Sequence, residues 1–207
     1  MRCLRPHDLL RVDGLDDYLP DRAPQWVRAA LRRTSWVVVL RTARKSLGHP
    51  VAVRGASRPQ RYTLIAPDNC VIDAVAPEAV AGVRAWPTRD IPALEGFREL
   101  RAPLNRLALP WGPIGSVGFE LATGVQTATP DSDLDLMIRL PGLCQSIIDD
   151  LVALHDNHLW NAAARVDCQV ETPVGPISLT ELVSCTRSLP VTAKPAPRHL
   201  AIATSSP

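Results

Sequence analysis

The spacing of hydrophobic and polar positions in the first part of the chain predicts a small unit of helices and short strands. After Pro24, four apolar side chains between Trp26 and Leu31 share one side of a helix, which predicts an amphipathic helix over residues 24–33. Runs rich in β-branched residues then predict strands at 36–41, 51–54 and 61–65, and residues 77–83 begin a second short helix.

A second block follows the linker that Pro87 and Pro92 bracket. Leucines and isoleucines between positions 143 and 154 recur at helical spacing, so residues 142–158 are predicted to form a helix whose apolar stripe faces the core. The other predicted elements are a helix at 93–107, a loop at 110–113, a turn at Gly115-Ser116, a strand at 134–140, a strand at 164–171, a hairpin turn at 174–176 and a strand at 177–179.

These elements place the chain in the α+β class. Residues 1–88 are predicted to form a small N-terminal α+β domain, and residues 89–207 a second domain with a mixed sheet flanked by helices. The chain has 207 residues, of which 46% are hydrophobic, and this is enough for a real core in one domain or two small ones.

Composition argues against several classes of partner. The net charge is only +2, the basic residues are spread along the chain, and two Phe and two Tyr offer few stacking platforms, so no nucleic acid is expected. The five cysteines stand singly without zinc-ligand spacing, which makes disulfides and structural zinc unexpected. No signal-type or membrane-length apolar run occurs, so the expectation is a reduced, cytoplasmic protein without a membrane partner.

Asp133 and Asp135 are the first candidates for chemistry. In an extended segment they point the same way, with Cα atoms roughly 6 to 7 Å apart, while Leu134 and Leu136 point into the core. Two carboxylates on one face are tolerated when a divalent cation lies between them, and such hard oxygen ligands suit Mg²⁺. The alternative is a solvated strand edge without a metal.

Gly115 and Ser116 precede the acids by one loop. Glycine lets backbone N–H groups approach a phosphate closely, and the serine hydroxyl adds a donor. By itself this pair also fits an ordinary turn. Together with the two acids it predicts a metal-dependent nucleotidyl-transfer site in which the turn holds phosphates.

These residues carry a family resemblance. Gly115-Ser116 followed by Asp133-x-Asp135 between hydrophobic residues is similar to the signature of the DNA polymerase β-like nucleotidyltransferase superfamily. The string from Trp111 to Gly124 narrows this, because it resembles the malonate decarboxylase holo-acyl-carrier-protein synthase family, also called phosphoribosyl-dephospho-CoA transferases. Further similar stretches are residues 5–10, 53–61 and 166–173, so the resemblance covers nearly the whole chain.

The resemblance implies a reaction, its cofactor and its partners. A serine hydroxyl of the apo acyl-carrier subunit of malonate decarboxylase attacks the α-phosphorus of 2′-(5″-triphosphoribosyl)-3′-dephospho-CoA and releases diphosphate. Two Mg²⁺ ions would neutralise the phosphates and acidify the hydroxyl. It also implies a polymerase β-like catalytic domain in residues 89–207, with residues 1–88 docking substrate or carrier.

The superfamily also implies a third carboxylate, and two residues qualify. Asp167 lies between Val166 and Cys168 and is preferred, as a metal ligand beside the attacking hydroxyl or as the acceptor of its proton. Glu171 faces the same side by strand alternation and remains the alternative, although a solvated strand end is the preferred explanation for this residue.

Four cations are candidates for substrate binding. Arg139 shares the face of Asp133 and Asp135 by alternation and either reaches a phosphate or pairs with these carboxylates. The other three are Lys194, Arg54 and Arg61. The alternative for Lys194 is a solvated tail residue. Arg54 and Arg61 flank a loop, and either they bind substrate phosphates or an acidic carrier protein, or the loop is simply solvated.

Two other functions fit the same residues. One is nucleotidyl transfer from ATP or another nucleoside triphosphate to a different small molecule or protein. The other is a non-catalytic module that binds a nucleotide or a carrier protein. The complete Asp133-x-Asp135 pair with a third acid argues for an enzyme.

Overall fold

A computed structural model describes residues 4–42, 48–57, 59–83, 88–142 and 144–188. The first half forms an antiparallel sheet with two helices. Its elements are β1 (Leu9–Val12), α1 (Gln25–Arg33), β2 (Trp36–Val39), β3 (His49–Arg54), β4 (Arg61–Ala66), β5 (Val71–Val75) and α2 (Pro77–Ala81), with 3-10 turns at Leu15–Tyr18 and Asp68–Cys70.

The five strands of this sheet lie in the order β4-β3-β2-β1-β5. Helix α1 buries Val27 and Leu31 against Val37 and Val51 of the strands, which confirms the predicted amphipathic helix. The interior strand β1 and the edge strand β5 were not predicted. Each is short and is interrupted by a charged residue, Arg11 in β1 and Asp73 in β5, so neither shows an uninterrupted apolar run.

The second half forms a mixed sheet with helices on it. Its elements are α3 (Pro92–Arg106), β6 (Trp111–Pro113), α4 (Gly115–Thr123), β7 (Leu134–Arg139), α5 (Gln145–Asn157), β8 (Val166–Thr172), β9 (Gly175–Ser178) and α6 (Leu179–Ser188), with a 3-10 turn at Leu159–Asn161. The order is β6-β7-β8-β9, with β7 and β8 parallel and the other pairs antiparallel. The predicted α+β class with a mixed sheet is therefore confirmed.

Three local predictions need correction. Residues Trp111–Pro113 form strand β6 rather than a loop, because Gly112 lets this strand pass directly against the Pro77 carbonyl, where any Cβ would overlap. The predicted turn at Gly115-Ser116 is the first turn of helix α4. The hairpin turn between β8 and β9 lies at Pro173-Val174, one residue earlier than predicted. The domain boundary after residue 88 remains a prediction.

Charged contacts join the first sheet to one face of the second. Arg139 on β7 donates from Nε to Glu78 of α2 at 2.7 Å and from Nη2 to the Pro6 carbonyl at 3.1 Å. Arg41, which follows β2, forms a two-pronged ion pair with Glu171 on β8. These contacts fix the N-terminal sheet at one end of β7 and β8. No helix among the described residues has the length and apolar character that crossing a bilayer requires.

His7 lies within this contact in a strained conformation. The Arg5–Asp8 turn gives His7 a φ of 72°, a region that favours glycine, and the Asp8 carboxylate accepts from the Arg5 backbone N–H at 3.0 Å. Burial, and then the charge of Arg41, lowers the pKa of His7 to about 4, against the opposing effect of Glu171. His7 is therefore neutral in the folded protein at pH 7.

This shift predicts a pH dependence of stability. The unfolded imidazole titrates near 6.5 and the folded one near 4, so the unfolded state binds more protons between these values. The contribution of neutral His7 to the free energy of unfolding is complete above pH 6.5 and is lost as the pH falls toward 4. Between pH 7 and pH 5 the native protein should lose about 1 to 2 kcal/mol more unfolding free energy than His7→Asn, in which Asn tolerates the backbone. Urea unfolding at both pH values measures this, and an equal loss in both proteins would contradict it.

Candidate active site

The register of β7 and β8 brings two of the predicted acids side by side. Asp135 is the Cα partner of Asp167 across the parallel pair. Adjacent strands lie about 4.8 Å apart, and register partners project from the same face, so the two side chains are neighbours. This face is opposite the one that buries Leu134 and Leu136. Asp133 precedes the strand by one residue, and the amide of Leu134 bonds to the Arg165 carbonyl.

The start of helix α4 lies directly against Asp135. A Cβ on Gly115 would overlap the carboxylate of Asp135, and the backbone N–H of Ile114 donates to the Asp135 carbonyl at 2.9 Å. The first turn of a helix presents unpaired N–H groups and the positive end of its dipole. The structure therefore brings Gly115 and Ser116, at a helix start of the kind that can bind an anion, beside the acid pair.

The loop that returns from α4 to the acids is held by Glu120, a residue that no local sequence pattern marks as part of the site. Glu120 is 2% exposed, and its carboxylate accepts from the backbone N–H groups of Thr127 and Ala128, each at 2.9 Å. Arg89 donates to both oxygens of the same carboxylate. The sequence holds only one indication of this role, which is that Glu120 is the only charged residue within the otherwise apolar and small residues of α4.

The other candidate residues lie elsewhere. Arg139 is bonded to Glu78, as described above. The sequence predicts either a substrate phosphate or the carboxylates of Asp133 and Asp135 as its partner. Glu171 lies four residues beyond Asp167 on β8, beside Arg41, and the hydrogen bond and charge of this arginine lower the pKa of its carboxyl. The assignment of Asp167 as the third acid remains a prediction.

The two loop arginines face each other. Arg54 and Arg61 are Cα partners at the end of the β3–β4 hairpin, and Arg61 is near enough to His7 to help lower its pKa. Like charges directly opposite each other disfavour the pairing, so this arrangement suits an anionic ligand. Lys194 lies outside the described residues.

The donor set fits Mg²⁺ only in part. Within the described ranges, no three side chains among His, Cys, Asp and Glu gather as a ready-made metal cluster. Mg²⁺ is, however, commonly held by one or two carboxylates together with waters and substrate phosphates. The Asp135–Asp167 pair beside the helix start would supply two such carboxylates next to a place for the phosphates.

A small cavity borders the site. It has a volume of about 20 Å³ and lies between the first sheet and α4, where His7 and Val38 meet Gly115 and Phe119. This is room for about one water molecule. His7 and Arg41 thus reach the acid-bearing face from the first sheet, which sequence spacing did not indicate.

In comparisons with known proteins, the matching family model and the similar proteins share one name. A family model described as the phosphoribosyl-dephospho-CoA transferase MdcG C-terminal domain matches residues 79–200. Phosphoribosyl-dephospho-CoA transferase of Pseudomonas aeruginosa is 41% identical over 177 residues, which are 85% of this chain and 82% of that protein. The protein of the same name from Pseudomonas fluorescens strain Pf0-1 is 38% identical over 164 residues, 79% of this chain and 77% of its own length. No solved structure matches.

The contact between Gly115 and Asp135 predicts a large effect of one methyl group. Gly115→Ala places a Cβ on the carboxylate at a φ of 64°, so the free energy of unfolding should fall by about 2 to 4 kcal/mol. Gly142→Ala is the matched control, since its Cβ would meet open space, and it should change stability by less than about 0.5 kcal/mol. Equal stabilities of the two variants in chemical denaturation would contradict the close contact.

Proposed function

Because this chain belongs to the phosphoribosyl-dephospho-CoA transferase family, we propose that it transfers the phosphoribosyl-dephospho-CoA group from 2′-(5″-triphosphoribosyl)-3′-dephospho-CoA to a carrier-protein serine. The family makes the chain a transferase enzyme. The acceptor in this proposal is the apo acyl-carrier subunit of malonate decarboxylase, and diphosphate is released. The serine oxygen forms the new bond to the α-phosphorus, and the bond from that phosphorus to the diphosphate oxygen breaks.

One observation carries the proposal. Asp135 and Asp167 lie side by side, and the N-terminus of α4 meets Asp135 at Gly115. A triphosphate donor needs positive potential for its departing phosphates and carboxylates near the attacked phosphorus, and these requirements meet here. We assign this site to the nucleotidyltransferase chemistry of the DNA polymerase β-like superfamily.

Each residue has a distinct role in this proposal. The backbone N–H groups at the start of α4, with the Ser116 hydroxyl, bind the departing phosphates. Asp167 orients the carrier serine and accepts its proton. Asp133 and Asp135 are the carboxylates that would hold Mg²⁺, joined by Asp167. When bound, Mg²⁺ neutralises phosphate charge and lowers the pKa of the attacking hydroxyl.

Substrate recognition is assigned to the first sheet and its contacts. Arg54 and Arg61, facing each other at the hairpin end, would bind phosphates of the CoA-like substrate or acidic groups of the carrier. Arg139 is a further candidate for binding a substrate phosphate, in competition with its ion pair to Glu78. In this proposal residues 1–88 dock substrate or carrier, residues 89–207 catalyse the transfer, and the enzyme acts in the cytoplasm.

The acid pair gives the first functional prediction. Asp135→Asn and Asp167→Asn remove one charge each at nearly constant volume, and each should lower the transfer rate by roughly 100- to 1,000-fold or more. The assay incubates enzyme, Mg²⁺ and apo carrier with triphosphoribosyl-dephospho-CoA and follows the carrier mass. Asp156→Asn is the control. Asp156 lies on α5 and pairs with Arg187 of α6, so this variant should stay near the native rate.

Four outcomes would contradict or change this proposal. Labelling of the carrier by ATP alone would favour another nucleotidyltransferase, and binding without diphosphate release would favour a non-catalytic module. A folded Asp167→Asn protein with near-native rate would leave Glu171 as the third acid, whereas active Asp135→Asn would remove the mechanism.

The facing arginines give a second functional prediction. The double variant Arg54→Ala/Arg61→Ala should raise KM for the CoA-like substrate or for the carrier by at least about tenfold, because one charged hydrogen bond is worth about 1.5 to 3 kcal/mol and about 1.4 kcal/mol corresponds to a factor of ten. Steady-state kinetics with each substrate varied separately identifies which one is affected. Unchanged KM for both would exclude these arginines from recognition.

A further inference from the structure

Glu120 makes an unusual set of contacts for a charged residue. It is 2% exposed on α4, and Arg89 pairs with it through Nη2 at 2.7 and 2.6 Å and Nε at 3.2 Å. The same carboxylate accepts from the amides of Thr127 and Ala128. Arg89 also donates to the Ala128 carbonyl at 2.9 Å. One side chain therefore joins the segment before α3, helix α4 and the loop that leads to the acids.

The loop returns along α4 to the helix start. Thr127 donates its hydroxyl to the Ser116 carbonyl at 2.9 Å, so the stretch that Glu120 holds is also bonded to the first turn of α4. Farther along, the Thr129 amide donates to the Ser132 hydroxyl at 2.9 Å, next to Asp133. Hydrogen bonds from the Glu120 carboxylate thus hold the loop at Thr127 and Ala128. The Thr127 hydroxyl connects this loop to the start of α4, and the covalent backbone connects it to the Thr129–Ser132 turn before Asp133.

A contribution to stability does not by itself explain why this ion pair is buried. Two charges lose most of their hydration, and apolar residues of similar volume often stabilise a protein equally well or better. What an apolar residue cannot do is accept two backbone N–H groups and an arginine at once. The contacts therefore indicate that Glu120 sets geometry.

We propose that Glu120 is a positioning residue for the transfer reaction, which fixes the acid loop relative to the phosphate-binding start of α4. This inference rests on the proposed function. If the loop shifts, Asp133 moves relative to Asp135 and Ser116, and a displacement of about 1 Å at such a site lowers rates by as much as 100-fold.

The test compares Glu120→Gln with Asp156→Asn. Both change a carboxylate that is bonded to an arginine into an amide, but Asp156 pairs with Arg187 between α5 and α6. For Glu120→Gln we expect kcat, per folded molecule, to fall by about 10- to 100-fold and the Mg²⁺ concentration for half-maximal rate to rise at least about fivefold. KM for the carrier should stay within about twofold, since the carrier-docking residues are untouched. Asp156→Asn should match the native protein in all three.

A binding measurement separates positioning from activity. Titration calorimetry with magnesium diphosphate should show at least about tenfold weaker binding to Glu120→Gln than to the native protein or Asp156→Asn. A merely structural role would lower the melting temperature but leave this affinity and the Mg²⁺ dependence at native values. That result would overturn the inference.

Two further variants keep the test decisive if Glu120→Gln fails to fold. Thr127→Val removes only the hydroxyl bond to Ser116 at nearly constant volume, and it should shift Mg²⁺ dependence in the same direction by about three- to fivefold, as expected for one hydrogen bond. Glu120→Asp keeps the charge for Arg89 but shortens the reach to the loop amides. Glu120→Asp should therefore lose activity as Glu120→Gln does. If Thr127→Val and Glu120→Asp both keep the native rate and Mg²⁺ dependence, Glu120 serves only to neutralise Arg89.

The result also separates this inference from the proposed function. Asp135→Asn is measured alongside the other variants. If Asp135→Asn loses transfer and magnesium diphosphate binding while Glu120→Gln and Thr127→Val keep both, the positioning role alone is wrong. If Asp135→Asn keeps both, the proposed function is wrong and the inference falls with it.

Discussion

The juxtaposition of Asp135 and Asp167 is the constraint on which the rest of the structure depends. Like charges on register partners destabilise a sheet, so the pair must be imposed by something stronger. The opposite face supplies it, because Leu134, Leu136 and Val170 are fully buried against the helices. A slip of one residue would exchange the faces of β7 and expose this core. The hydrophobic core thus holds two acids where their mutual repulsion alone would not place them.

The same face of β7 and β8 differs between its two ends. Near the start of both strands lie the acids and the helix start at Gly115. Farther along, Arg139 is the register partner of Glu171, and each has its own partner from the first half of the chain, Glu78 and Arg41 respectively. The two ion pairs anchor the first sheet at one end of this face, and the acids of the candidate site lie at the other end.

Local sequence patterns predicted the longer elements and part of the site. The apolar stripes of α1, α3 and α5 were long enough to show a helical period, and the strand that follows Asp133 was recognisable from its hydrophobic run. The short strands β1, β5 and β6 were missed, since each is interrupted by a charged residue, a glycine or a proline and shows no uninterrupted apolar run. Arg139 was placed on the correct face, but its partner Glu78 comes from a distant helix. Glu120 was not selected because its partners lie in two other segments.

The sequence by itself determined the residue chemistry, namely the two spaced acids, the Gly115-Ser116 pair and the resemblance that the family match confirms. Those features are local, and a few neighbouring residues contain all of their information. Only the tertiary structure decided that Asp167 faces Asp135, that Gly115 touches Asp135, and that one buried carboxylate ties the acid loop to α4. These relations depend on strand register and core packing between segments far apart in the chain, which no local pattern encodes.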